Sequence, residues 1–146
     1  MRLLVLSALL LSAAAAQADD CVIDLKADDA MKFDRSEVTV AASCKSIEIK
    51  LSHIGKLPVA AMGHNVVIAE TANLQGVAQD GLKAGAAANY VAADDKRVVA
   101  HTTLVGGGAS TSVKFAGTAL KAGGDYSFFC SFPGHWAVMK GKLTVK

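Results

Sequence analysis

A thiol, an imidazole and a thioether lie close together in one segment near the C-terminus of the sequence. They belong to Cys130, His135 and Met139, and a turn-forming Pro–Gly pair separates the first two. A second segment, residues 62–65, contributes the imidazole of His64. A thiolate, two imidazoles and a weak thioether form a ligand set suited to copper, which accepts soft sulfur and borderline nitrogen together. The sequence therefore predicts a copper site assembled from two distant segments.

Each of these residues also has an ordinary structural interpretation. Met139 alone could fill a gap in an apolar core, and Cys130 alone could be a small buried hydrophobic residue. Their spacing with His135 favours metal ligation, because three potential ligands rarely cluster in this way by chance. His53 and His101 have no such companions, so we expect them to be hydrogen-bonded or solvated strand residues.

The first 18 residues are typical of a secretory signal peptide. Arg2 supplies the cationic start, residues 3–16 form an apolar run, and Ala-Gln-Ala at residues 16–18 is a cleavage motif. The run is too short to span a bilayer and no second candidate span follows, so we expect no membrane anchor. We predict a signal peptide at residues 1–18 and a single domain at residues 19–146.

The sequence contains three cysteines, an odd number, so at least one cannot form a disulfide within the chain. Cysteines tend to pair outside the cytosol, and three cysteines leave one thiol over. Cys21 and Cys44 flank two strand-like segments near the N-terminus and are the natural pair, although two buried free thiols are the alternative. Cys130 is then the unpaired thiol, in surroundings rich in His and Met. This count supports a metal site at Cys130.

Alternating apolar and polar residues predict a chain that is mostly β. The pattern is clear at residues 47–52, and six or seven further short segments read as strands separated by glycine-rich turns. Seven or eight short strands in one domain favour an all-β sandwich or barrel. Apolar residues recur at helical spacing between residues 71 and 88, which predicts one short inserted helix even though glycines weaken it.

The sequence resembles the azurin family of bacterial periplasmic cupredoxins over the whole of residues 19–146. The resemblance is carried by Cys-x4-His-x3-Met at residues 130–139, by Gly-His-Asn at residues 63–65 and by the N-terminal cysteine pair. It implies a Greek-key β-sandwich of seven to eight strands with one inserted helix, located in the periplasm. It also implies a disulfide between Cys21 and Cys44 and one type 1 copper ion.

The resemblance assigns a role to each candidate ligand. His64, Cys130 and His135 would bind copper in a trigonal plane. Met139 and the carbonyl oxygen of Gly63 would be long axial contacts. A rigid set of this kind suits Cu(I) and Cu(II) about equally.

The resemblance also implies the surroundings of the metal. Backbone N–H groups of Asn65 and Phe132 are expected to donate hydrogen bonds to the thiolate sulfur. His135 is expected to reach the surface. Trp136 departs from the family pattern, since many members have a small residue after the ligand histidine, and it is expected to make that surface bulkier. An apolar docking patch is expected around it, formed by Leu57, Met62, Leu82, Phe132, Pro133 and Ala137. Apolar patches of this kind mark contact sites.

These features favour an electron-transfer protein over an enzyme. Asp and Glu are absent from both ligand segments, so acid–base groups are lacking beside the metal. A copper carrier or scavenger is the alternative function. Transient partners would be redox proteins such as c-type cytochromes or periplasmic reductases and dehydrogenases. Nucleic acid is not expected, because 15 basic and 13 acidic residues are scattered along the chain.

Overall fold

Two β-sheets packed face to face form the body of the protein. The structure, a computed structural model, describes residues 20–146, and the predicted signal peptide at residues 1–18 lies outside them. Within this range eight strands occur: β1 Val22–Ala27, β2 Glu37–Val40, β3 Ser46–His53, β4 Val67–Glu70, β5 Val98–His101, β6 Ser110–Ala116, β7 Tyr126–Phe129 and β8 Lys140–Val145. The predicted Greek-key all-β sandwich of seven to eight strands is confirmed.

The sheets have three and five strands. Their orders are β1-β3-β6 and β2-β8-β7-β4-β5, with parallel pairing of β1 to β3 and of β2 to β8 and antiparallel pairing elsewhere. With these pairings, β1, β3 and β7 finish at one end of the sandwich. Strands β4, β6 and β8 begin at that same end. The loops at this end span residues 28–36, 54–66, 102–109 and 130–139. Both predicted ligand segments therefore lie at one end of the fold.

Helical structure occurs in three places among residues 20–146, one of them a 3-10 turn at Gly117–Ala119. The helix predicted between residues 71 and 88 is confirmed as α2, Leu74–Ala84, flanked by 3-10 turns at Thr71–Asn73 and Ala86–Ala88. A single helical turn, α1 at Val59–Met62, was not predicted. Its N–H groups at Ala61 and Met62 bond to the carbonyl of Pro58, and four residues are too few to show a helical period.

The apolar interior has two parts, one on each face of the five-stranded sheet. The larger part lies between the sheets and includes Leu25, Ile49 and Phe128, all fully buried. The smaller part lies between the sheet and α2, where Val77 packs with Phe129. Adjacent residues of β7 thus point into different clusters, and strands β4 and β7 are buried on both faces. No helix in residues 20–146 is long and apolar enough to cross a membrane.

Candidate metal centre

Three potential metal ligands from two distant segments meet at the loop end of the sandwich. The ligand atoms of His64, Cys130 and His135 lie within 4.8 Å of one another. Cys130 Sγ is 3.8 Å from Nδ1 of His64 and 3.6 Å from Nδ1 of His135. All three side chains are buried. The fold therefore concentrates one sulfur and two nitrogen donors at a single point.

The spacing of these donors fits a metal ion. Protein bonds to a metal such as zinc are ~2.0–2.1 Å to imidazole nitrogen and ~2.3 Å to thiolate sulfur. Two such bonds at 120° separate nitrogen from sulfur by about 3.7–3.8 Å. The two separations found, 3.6 and 3.8 Å, match this value. A soft sulfur with two imidazoles and no carboxylate is also a donor set that copper favours.

The orientation of His64 is set by a main-chain carbonyl. Its Nε2 lies 2.8 Å from the carbonyl oxygen of Asp28. Because a carbonyl only accepts hydrogen bonds, Nε2 must carry the hydrogen, and Nδ1 is left with a free lone pair on the side of Cys130. A second hydrogen bond of this kind is a common means of orienting a metal-binding imidazole.

Burial keeps both imidazoles neutral. Desolvation lowers the pKa of His64, and it lowers the pKa of His135 to about 4, with a smaller contribution from the nearby His64. A metal binds the neutral form of imidazole, so neither ring needs to lose a proton to a metal at neutral pH.

The thiol of Cys130 is fully buried. Desolvation raises its pKa to about 11, while hydrogen bonds from the backbone N–H groups of Asn65 and Phe132 act in the opposite direction. These are the two donors implied by the resemblance. The thiol is therefore protonated at neutral pH until a metal replaces the proton, and the two N–H groups are positioned to stabilise the resulting thiolate.

A buried amide joins the two ligand segments. Asn65, which follows His64, accepts a hydrogen bond from N of Ser131 at 2.9 Å and donates to Oγ of Ser131 at 2.9 Å. It also donates to the carbonyl of Asn89 at 2.8 Å. Asn89 has a left-handed φ of 55° and lies just after the helical insertion. The sequence reasoning missed Ser131 and Asn89, since neither carries a ligand atom.

The two predicted axial residues border the cluster. Met139 is fully buried, and its carbonyl accepts a hydrogen bond from N of Cys130 at 3.0 Å. The carbonyl oxygen of Gly63 lies 3.9 Å from Cys130 Sγ. A Cβ at Gly63 would lie 2.6 Å from the carbonyl oxygen of Val59 and 3.0 Å from the Phe132 ring, so only glycine fits this close approach.

His53 adjoins the site, a position that the sequence reasoning missed. Its ring is 1% exposed and its centroid lies 4.5 Å from that of His64. Nε2 is 3.2 Å from Oδ1 of Asp29, whereas Nδ1 is buried and has no partner among the described residues. A signal was available: the inward alternation through Ile49 and Leu51 continues to His53 and turns it toward the interior.

The six residues of the expected docking patch differ in exposure. Leu57, Leu82 and Ala137 are exposed, whereas Met62, Phe132 and Pro133 are half-buried. The rings of His135 and Phe132 are tilted by 40° with their centroids 4.6 Å apart, and His135 is only 3% exposed. The imidazole therefore reaches the surface much less than expected. Val59 and Val138 are two further exposed apolar residues of these loops.

Trp136 packs away from the expected surface position. Its side chain is half-buried and contacts the apolar cluster between the five-stranded sheet and α2. The indole therefore joins the ligand loop to this cluster, and its bulk is not simply added to the surface beside His135.

Comparisons with known proteins agree with this geometry. Residues 19–146 match the family described as copper-binding proteins of the plastocyanin/azurin family. Azurin of Alcaligenes faecalis is 50% identical over 125 residues, which covers 86% of this chain and 98% of the relative. Azurin of Achromobacter denitrificans is 49% identical over 142 residues, or 97% of this chain and 93% of the relative.

A solved structure of an azurin, Az-iso2 from Methylomonas sp. strain J, superposes with a TM-score of 0.83 at 40% identity and covers 86% of this chain and 98% of its own. The fold, the donor cluster and these relatives agree with one another. The chain belongs to the plastocyanin/azurin family of copper-binding proteins, and it is a blue-copper electron-transfer protein rather than an enzyme.

Proposed function

We propose that the protein carries single electrons in the bacterial periplasm through one copper ion bound by His64, Cys130 and His135. Met139 and the carbonyl oxygen of Gly63 would be its weak additional contacts. The observation that carries the proposal is the buried cluster of one sulfur and two nitrogen donors within 4.8 Å. When bound, copper supplies a one-electron couple between Cu(I) and Cu(II).

The residues around the cluster suit this role because they resist rearrangement. The carbonyl of Asp28 orients the His64 ring, and Asn65 ties the strand after His64 to the loop after Cys130. Burial of the three ligands excludes water. A site that changes little between two oxidation states exchanges electrons with a small energetic barrier.

The same features disfavour a copper carrier or scavenger. Rapid metal exchange needs ligands that a recipient can reach, whereas His64 and Cys130 are 0% exposed. Their release would require opening of two loops that the Asn65 and Ser131 hydrogen bonds hold together. Electron transfer needs no such opening, because electrons tunnel through packed atoms.

The partners that we propose are redox proteins such as c-type cytochromes or periplasmic reductases and dehydrogenases. Docking would occur at the apolar patch of Leu57, Met62, Leu82, Phe132, Pro133 and Ala137. Exposed Leu57 and Leu82 give this surface its apolar character, with 42% and 54% of each residue exposed. Small apolar contacts suit redox partners that must dissociate quickly.

The optical spectrum of the copper-loaded protein tests the ligand set. Sulfur-to-copper charge transfer should give an intense blue band, since Cys130 is the one strongly covalent ligand. Cys130→Ser should abolish the band while the apoprotein stays folded. His101→Ala is the matched control, because His101 bonds to the carbonyl of Thr102 and lies outside the cluster. A blue C130S protein would overturn the assignment.

The kinetics of electron exchange with a soluble c-type cytochrome test the docking patch. Leu57→Glu should lower the second-order rate constant by about tenfold, since burial of a charge in an apolar contact costs ~1.4 kcal/mol or more. Ser112→Glu is the control, because Ser112 is exposed on β6 outside the loops of the site. Equal rates for both variants would place docking elsewhere.

A further inference from the structure

The carboxylate of Asp29, in the loop after β1, accepts hydrogen bonds from three groups. Oδ2 of Asp29 accepts from N of Lys56 at 2.8 Å, and Oδ1 accepts from N of Leu57 at 3.3 Å. Nε2 of His53 lies 3.2 Å from Oδ1. The bond from Lys56 is the main cause that lowers the pKa of Asp29, so the carboxylate is ionised at neutral pH. Asp29 is not part of the ligand set or of the predicted patch.

The residue that lies against the Asp29 carboxylate, Gly55, has no side chain. A Cβ added at Gly55 would lie 2.7 Å from Oδ2 of Asp29 and nearer still to Oδ1 and Cγ. Side-chain atoms do not approach so closely, and the backbone of Gly55 is not left-handed. Glycine at this position is therefore explained by the room that the carboxylate needs to reach the N–H groups beyond it.

The carboxylate also determines which nitrogen of the His53 ring donates a hydrogen bond. Since an ionised carboxylate only accepts, Nε2 of His53 must carry a hydrogen and donate it to Asp29. Nδ1 of the same ring has no hydrogen-bond partner in the described part of the chain. The bond to Asp29 thus orients the His53 ring, and the centroid of this ring lies 4.5 Å from that of His64.

Two consecutive residues thus act on the same imidazole. The carbonyl of Asp28 bonds to Nε2 of His64 directly, at 2.8 Å. The side chain of Asp29 bonds to His53, and the His53 ring packs against the His64 ring at a tilt of 58°. Residues 55–57 belong to the segment that connects β3 to α1 and His64. The bonds from N of Lys56 and N of Leu57 therefore attach this segment to Asp29 as well.

We propose that Asp29 is a positioning residue for the copper site: through His53 and residues 55–57 it keeps the His64 ring in the orientation in which Nδ1 faces the Cys130 sulfur. This inference rests on the proposed role of His64 as a ligand. It assigns a function to a loop carboxylate that makes no contact with the donor atoms.

The test uses three variants of the full-length mature protein. Asp29→Asn removes the charge and turns one acceptor into a donor, whereas Gly55→Ala keeps the charge and displaces the carboxylate. Asp34→Asn is the control, because it removes a charge from the same loop. Among the described residues, the Asp34 carboxylate accepts a hydrogen bond from N of Lys26 alone, at 2.8 Å. A purely electrostatic effect would appear in D29N and D34N but not in G55A.

We expect D29N and G55A to shift the blue absorption band and the Cu(II) paramagnetic resonance splitting in the same direction. Both should release copper to a chelator about tenfold faster, the lower limit for loss of an outer contact to a metal ligand. In the Cu(I) protein, the Nε2 proton of His53 should exchange with water faster in both variants. D34N should match the wild type in all three measurements.

The outcomes separate this inference from the proposed function. A wild-type protein without a blue band would overturn both. A blue wild type whose D29N and G55A variants have wild-type spectra and copper release would overturn the inference alone. Lowered thermal stability with unchanged spectra would show that Asp29 is only a loop anchor, and would also overturn it.

Discussion

The disulfide between Cys21 and Cys44 lies at the end of the sandwich opposite the metal centre. Its sulfurs are bonded and its Cα atoms are 5.6 Å apart, as the resemblance implied. Cys21 precedes β1 and Cys44 precedes β3, and these strands run parallel toward the site. From Ser46 to His53 the chain covers about 23 Å at ~3.3 Å per residue. Replacement of both cysteines by alanine is therefore a remote perturbation.

The expected loss of stability follows from the loop that the disulfide closes. The two cysteines are 23 positions apart. For a loop of that length the chain-entropy estimate is about 11 cal/mol/K, or about 3.4 kcal/mol at 25 °C. With an unfolding entropy of ~2.1 cal/mol/K per residue, the midpoint of thermal unfolding should fall by about 12 °C.

Urea unfolding of the apoprotein, followed by circular dichroism, measures this loss. The wild type reduced under non-denaturing conditions is the control, because it lacks the cross-link without a change of sequence. The copper-loaded double variant should keep the blue band and the reduction potential of the wild type. A loss below ~1 kcal/mol would refute the entropy argument. A shifted blue band would refute the claim that the disulfide does not influence the metal centre.

Three further predictions concern the site itself. Met139→Leu should keep the blue colour and raise the reduction potential in voltammetry, because loss of a weak thioether favours Cu(I); loss of copper or a lower potential would contradict the weak-ligand role. Burial raises the pKa of Cys130 to about 11, so calorimetry in different buffers should find one proton released per copper ion at pH 7, and affinity should rise about tenfold per pH unit until that pKa is reached. Release of two protons would mean that His64 or His135 is charged in the apoprotein. Asn65→Ala leaves N of Ser131 without its partner and should destabilise the apoprotein by about 1–3 kcal/mol, measured by urea unfolding, and an unchanged midpoint would show that water replaces the amide.

The strands and the donor cluster were accessible from the sequence for different reasons. Strand β3 was visible because Ile47, Ile49 and Leu51 alternate with polar residues, and one buried face imposes that period. The donors were visible because thiol, imidazole and thioether chemistry is rare at such short spacing. Spacing alone does not fix which distant histidine joins Cys130. His64 was predicted from its segment at residues 62–65, and the family resemblance at residues 63–65 then supported that choice.

The supporting residues were not accessible in the same way. A loop aspartate such as Asp29 looks like any solvated carboxylate, and its role depends on Gly55, which approaches it only in the folded chain. The carbonyl of Asp28 carries no sequence signal at all, because every residue has one. Asn89 depends on a left-handed backbone conformation at the end of the insertion. Contacts made by backbone atoms across long separations leave no pattern for sequence reasoning to detect.

The arrangement of these contacts explains how an ordinary β-sandwich holds a redox site. His64 is oriented from the loop after β1, and the segment that follows it is bonded to the loop after β7. His135 is held within its own loop, where its carbonyl accepts from N of Met139 at 2.7 Å. None of these bonds uses a donor atom of the cluster, so none of them has to change when the charge of a bound metal changes. The positions of the three ligands are consequently set by hydrogen bonds and packing of the fold, and this independence from oxidation state is the property that one-electron transfer requires.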